Sequence, residues 1–162
     1  MKRKEYLDWK TYFMTVAKAS AMRSKDPSTQ VGAVVVNRLQ QIVSTGYNGF
    51  PRGISDDDFP WEREGDFVNT KYPYVAHAEL NAVVASRTDL TGCELYVTLF
   101  PCNECAKILI QAGISKIYFM DNKYDNEPNV IASKRMLDAA QISYELLPDL
   151  KIEILINDIK MD

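Results

Sequence analysis

The segments His77-Ala78-Glu79 and Pro101-Cys102-Asn103-Glu104-Cys105 make a demand that few folds can meet, because an imidazole and two thiols must converge on one point from distant parts of the chain. Together they supply three of the four ligands that a tetrahedral zinc ion takes. The fourth position stays open. That separates a catalytic zinc from a structural one, since a water bound there has its pKa lowered to about 7 and becomes a nucleophile at neutral pH. Glu79 is the proton carrier beside it. The spacing is sound if Cys102 begins a helix, because residues three apart share a helical face. Pro101 suits a helix start, and the partial positive charge of a helix N-terminus favours the thiolate that a metal requires. His77 and Glu79 are two apart and would diverge in mid-helix. They are therefore expected at the entrance of the helix that continues Leu80-Asn81-Ala82-Val83-Val84-Ala85.

The rest of the chain must build a scaffold around that point. Its 162 residues, 46% apolar and 25% charged, predict one soluble domain spanning 1–162, able to bury about two-thirds of its unfolded surface. No apolar run is long enough to span a membrane, and the start Met-Lys-Arg-Lys-Glu-Tyr lacks the apolar stretch of a signal peptide. A cytoplasmic location is expected. In a reducing compartment the three cysteines stay thiols, with Cys93 left over as a small residue at the start of a strand. The net charge of −3 offers no general pull toward a polyanion, so a nucleic-acid partner is not expected. Lys2, Arg3 and Lys4 read as a solvated, frayed start.

Apolar residues from about Tyr6 to Arg23 follow a helical period that ends before Asp26-Pro27. Residues 31–36 and 41–47 read as a hairpin joined by Asn37-Arg38-Leu39-Gln40. The stretch from Phe50 to Tyr74 has no period. Its Phe50, Phe59, Trp61, Phe67, Tyr72 and Tyr74 argue against disorder, and a loop this long is expected to bind something. Then units alternate: the His77 helix, a strand over 94–99, the Cys102 helix to about Ala112, a strand over 116–120, a helix near 130–140 and a strand over 142–146. This predicts an α/β fold with helices on both faces of a sheet whose second half is parallel. The tail from Ile152 to Ile159 is expected to be a further strand or a packed end. The metal ligands then fall just outside strand ends, where open α/β sheets place ligands.

H-x-E followed by P-C-x-x-C is the signature of zinc-dependent nucleobase deaminases. Further motifs narrow the match: Ser24-Lys25-Asp26-Pro27, Gly46-Tyr47-Asn48-Gly49, Thr70-Lys71-Tyr72-Pro73-Tyr74, His77-Ala78-Glu79-Leu80-Asn81-Ala82, Phe100-Pro101-Cys102-Asn103-Glu104-Cys105-Ala106-Lys107 and Gln111-Ala112-Gly113-Ile114. Running in order from about residue 10 to 146, they resemble the deoxycytidylate (dCMP) deaminases of the cytidine and deoxycytidylate deaminase family. The resemblance implies a cytidine-deaminase-like three-layer α/β/α fold with a mixed five-stranded sheet. It also implies one catalytic Zn²⁺ on His77, Cys102 and Cys105, Glu79 as proton shuttle, and hydrolysis of dCMP to dUMP and ammonia. Asn48 matches the family position that holds the sugar or base. Ala78 is a further substrate contact, Arg23, Ser24 and Lys25 form a cluster for the 5′-phosphate, and Tyr124 closes over the nucleotide.

By the same resemblance the enzyme is activated by dCTP and inhibited by dTTP, with Mg²⁺ accompanying the triphosphate, and it assembles as a homohexamer. Gly49, Pro51, Arg52, Gly53 and Asp57 correspond to the effector-binding segment. Asp56, Asp57 and Asp58 equally read as a solvated acidic turn. The aromatic long loop independently favours an oligomer, being easier to bury between subunits than in a monomer of this size. Three other readings stand beside this one. A tRNA adenosine deaminase or single-strand DNA deaminase shares the zinc chemistry, but the acidic balance and the absence of a basic, aromatic groove argue against a polymer substrate. A free-nucleoside cytidine deaminase shares the zinc chemistry but needs neither the cationic cluster nor the long loop. A non-enzymatic zinc module needs a fourth protein ligand, which Cys93 is placed too far along its strand to provide and which Glu79 could supply by ligating the metal itself.

Overall fold

The run Gly-Ala-Val-Val-Val at 32–36 is buried at every position, a pattern that calls for a sheet covered on both faces. In the computed structural model, which describes residues 1–148 and 150–161, this run is strand β1 (Gly32–Val36). It pairs antiparallel with β2 (Ile42–Tyr47) on one side and with β3 (Glu94–Leu99) on the other. Strands β4 (Lys116–Asp121) and β5 (Ser143–Leu146) continue the sheet in parallel from β3. The order is β2-β1-β3-β4-β5, so the mixed sheet with a parallel second half is present.

Alternate residues of β1 divide the two cores. Val34 and Val36 share a buried cluster with Phe13, Met14 and Ala17 of helix α1 (Trp9–Ala21) and with Tyr96 and Tyr118. Ala33 and Val35 belong to the opposite cluster, which takes Ala82 from α2 (Ala78–Ala85), Leu109 from α3 (Asn103–Gln111) and Leu137 from α4 (Pro128–Ala139). One helix covers the first face and three cover the second, giving the expected three layers.

Helix boundaries follow from caps. Asp8 accepts hydrogen bonds from the Thr11 amide and hydroxyl, so α1 starts at Trp9 and leaves Tyr6 and Leu7 exposed ahead of it. The apolar period had placed the start near Tyr6, because periodicity is blind to a cap. Pro128 stands in the first turn of α4, where its fixed φ and missing N–H cost nothing, so that helix begins two residues before Val130. The tail divides: Ile152 packs on the α1 side of the sheet, while β6 (Ile154–Ile156) and β7 (Ile159–Met161) pair with each other in a separate hairpin. Asn157 and Asp158 turn it with φ of 51° and 62°, the two positive values of a type I′ turn.

The long loop contains one short 3₁₀ turn, Phe67–Asn69, and is fixed by side chains. Phe50 lies 4.1 Å from Trp61 and 5.8 Å from Phe59 between ring centroids, and Phe59 meets Tyr74 edge-on at 5.0 Å. Gly49 and Ala76 pair as an isolated bridge. Lys71 Nζ reaches the Asp26 carboxylate at 2.6 and 2.7 Å, both residues being buried. Ser28 and Thr29 amides donate to the same carboxylate, so the desolvated charge is well satisfied, as a buried ion pair requires. No helix among the described residues is long and apolar enough to cross a membrane.

One glycine sets how closely α2 approaches the sheet. A Cβ on Gly46 of β2 would stand 2.2 Å from the Ala78 carbonyl oxygen and 2.4 Å from the Ala82 amide nitrogen, and neither backbone atom can move without moving the helix. Gly46→Ala is expected to cost about 1–3 kcal/mol by overpacking. For a chain of this length that lowers Tm by about 2–4 °C per kcal/mol, which thermal unfolding followed by circular dichroism would register; an unchanged Tm would show the contact to be loose.

Candidate active site

His77 and Cys102 hold equivalent places. Each is the residue before a helix, each has extended backbone dihedrals, and neither side chain caps the helix it precedes. Both side chains are thereby free to face each other across the gap between α2 and α3. His77 Nδ1 lies 3.4 Å from Cys102 Sγ and 3.3 Å from Cys105 Sγ, the latter in the first turn of α3. The three ligand atoms fall within 4.8 Å of one another. Around a tetrahedral zinc with bonds of about 2.0–2.1 Å to nitrogen and 2.3 Å to sulfur, such atoms stand about 3.5 Å apart. The trio therefore fits the ion, with Nδ1 as the ligating nitrogen.

Protons are shared within the trio. The hydrogen bond from Cys105 holds the Cys102 thiol down to about 4, with His77 adding to the effect against burial. The same bond, with burial, pushes the Cys105 thiol up, and the bond to Cys102 raises His77 to about 9. A divalent ion binds by displacing the His77 and Cys105 protons. Glu79, in the first turn of α2, is 4% exposed. Burial raises its pKa, against the attraction of His77, and its carboxyl lies beside the Cys105 thiol. A carboxyl that keeps its proton more readily than an ordinary glutamate is suited to giving and taking one.

These groups open onto a cavity of about 630 Å³, within the range of small-molecule sites. His77, Glu79 and Cys102 line it, together with Asn48, Ala78 and Tyr124; Cys105 is buried behind them. Asn48 is tightly engaged. Its Oδ1 accepts from the Val31 amide at 2.8 Å, and its Nδ2 donates to the Thr29 carbonyl at 2.9 Å and to Asp26 at 3.4 Å. One Oδ1 lone pair is left for a ligand.

Arg23, Ser24 and Lys25 are not brought to this cavity. Arg23 lies over the Tyr47 ring at 6.0 Å, the Ser24 hydroxyl accepts from the Asp26 amide, and Lys25 pairs with Asp56. Gly49, Pro51, Arg52, Gly53 and Asp57 lie outside it too. Gly49 bridges to Ala76, Gly53 has φ of +88°, and the Asp57 amide donates to the Ser55 hydroxyl. The Lys25–Asp56 pair joins the expected phosphate cluster to the acidic turn. Conversely, Thr29, Arg63, Lys71 and Glu127 line the cavity and were not singled out from sequence. Lys71 stood within a quoted motif, but its partner Asp26 is 45 positions away; Arg63 lies in the aperiodic loop and carried no local signal.

Residues 7–121 match the family model described as the cytidine and deoxycytidylate deaminase zinc-binding region. Deoxycytidylate deaminase of Homo sapiens is 52% identical over 145 residues, covering 88% of this chain and 82% of its own. The probable deoxycytidylate deaminase of Drosophila melanogaster is 53% identical over 151 residues, 89% of this chain and 74% of its own. Among solved structures, the dCMP deaminase of cyanophage S-TIM5 in complex with dCMP and dUMP aligns with a TM-score of 0.70 at 26% identity, over 88% of this chain and 99% of that one. Identity of this extent along most of both chains, on a fold that the solved relative shares, means that this chain belongs to the cytidine and deoxycytidylate deaminase family.

Proposed function

We propose that the protein hydrolyses dCMP to dUMP and ammonia, supplying dUMP for thymidylate synthesis in the cytoplasm. The observation that carries this reading is the buried Glu79 carboxyl set against the His77–Cys102–Cys105 trio on the wall of one cavity. The family membership and the dCMP and dUMP held by the S-TIM5 relative support the choice of substrate.

His77, Cys102 and Cys105 would hold zinc, which supplies an acidified water at neutral pH. Glu79 does the proton work. Its carboxylate accepts a proton from the attacking water and delivers it to N3 of the pyrimidine as C4 becomes tetrahedral. A second proton passes through Glu79 to the amine at C4, which leaves as ammonia while the C4 carbonyl of dUMP forms. One water is consumed and one ammonia released. The Ala78 amide, at a helix start where N–H groups lack an intrahelical acceptor, is free to hold the base. The remaining Oδ1 lone pair of Asn48 takes a sugar hydroxyl, and Tyr124 closes over the nucleotide.

Control is assigned to the loop after β2. dCTP activates and dTTP inhibits, each with Mg²⁺, at a site that includes Gly49, Pro51, Arg52, Gly53 and Asp57. The exposure of Pro51, Arg52, Gly53 and Asp57 supports this, and Mg²⁺ prefers the carboxylate and phosphate oxygens available there. The assembly is a homohexamer, for which the exposed Phe67 and Val68 offer apolar surface.

Glu79→Gln is expected to keep stoichiometric zinc, read by elemental analysis, and to lose at least about 10²-fold in the rate of ammonia release from dCMP; near-normal turnover would remove Glu79 from its role. Side-by-side assays on dCMP, CMP, deoxycytidine and adenosine should give the fastest release from dCMP. Saturation curves for dCMP should shift to lower concentration with dCTP and to higher with dTTP, and curves indifferent to both would refute the regulatory assignment.

A further inference from the structure

We propose that Arg63 binds the substrate's 5′-phosphate and is the residue by which the enzyme selects a nucleotide over a nucleoside. This rests on the deaminase reading above. Apart from His77 and the thiol of Cys102, the charged or titratable groups lining the cavity among the described residues are Arg63, Lys71, Tyr72, Glu79, Tyr124 and Glu127. Lys71 is the deeper cation, and Asp26 cancels its charge at 2.6 Å with both partners buried. Arg63 has no ion-pair partner among the described residues. Its Nε donates to the Tyr72 hydroxyl at 3.3 Å, which leaves the four N–H donors of its terminal nitrogens for a ligand.

Position agrees with charge. Glu79 marks the buried end of the cavity, and Arg63 is exposed at its outer end. A nucleotide whose reacting base lies against Glu79 directs its dianionic phosphate outward, where a forked cation meets it in bidentate geometry. Glu127, exposed on the same wall, repels an anion, so attraction has to come from Arg63. Arg23 and Lys25 are not competitors, lying outside the cavity on Tyr47 and Asp56.

The test is titration calorimetry of zinc-loaded protein with dUMP and with deoxyuridine, which differ only in the phosphate. Arg63→Ala should weaken dUMP by about 10- to 100-fold, the value of a lost hydrogen-bonded charge, and leave deoxyuridine within about twofold. Arg63→Lys, which keeps the charge and loses the fork, should fall between. Tyr72→Phe should weaken dUMP by a smaller factor and spare deoxyuridine, as expected of a residue that positions Arg63. Equal weakening of both ligands by Arg63→Ala, or unchanged binding of both, would overturn the assignment. Wild-type protein that releases no ammonia from dCMP would overturn the enzymatic reading instead, so the two failures are distinguishable.

Discussion

Two helix N-termini have to meet, and most of the architecture serves that requirement. His77 and Cys102 sit at cap positions, where serine or aspartate normally satisfies the first free amides, and neither side chain does so. The positive end of α3 meets the Cys102 sulfur, an arrangement that favours the thiolate a metal binds. Bringing two helix ends this close also needs small residues beneath them. Ala78, Ala82 and Ala106 are fully buried in the shared core, and Gly46 lets the α2 backbone rest directly on β2. Small residues in these places are what the metal-ligand geometry asks of the core.

The second constraint is the buried ion pair of Asp26 and Lys71. It joins the turn after α1 to the segment that leads into His77, and Asn48 is tied to the same turn through Thr29 and Asp26. Three stretches distant in sequence thus become one wall. Because the pair is neutral as a unit, the wall carries polarity without net charge, and a bound base or sugar meets oriented dipoles there and no bare ion.

Local chemistry was legible in the sequence and long-range pairing was not. H-x-E and P-C-x-x-C specify a ligand set within a few residues each, so His77, Glu79, Cys102 and Cys105 could be read together with the helix starts that display them. The alternation of strands and helices after Tyr74 likewise gave the parallel half of the sheet, and the first helix and hairpin before it gave the rest. Lys71 and Arg63 escaped because their roles depend on Asp26, Tyr72 and the shape of the cavity, none of which leaves a period or a spacing. Lys25 shows what neighbourhood alone leaves out: beside Arg23 and Ser24 it reads as part of a phosphate cluster, and across the fold it meets Asp56. The β6–β7 hairpin was unreadable for a simpler reason, since an apolar tail gives strand propensity but not the partner of each strand.

The long loop has two faces, and their union explains why so irregular a segment is held so firmly. Inward, it contributes Arg63, Lys71 and Tyr72 to the cavity. Outward, it exposes Phe67 at 68%, Val68 at 61% and Tyr72 at 55%. Tyr72 belongs to both faces, its ring open to solvent and its hydroxyl accepting from Arg63. The metal ligands are carried at the starts of α2 and α3, while the loop carries only the wall.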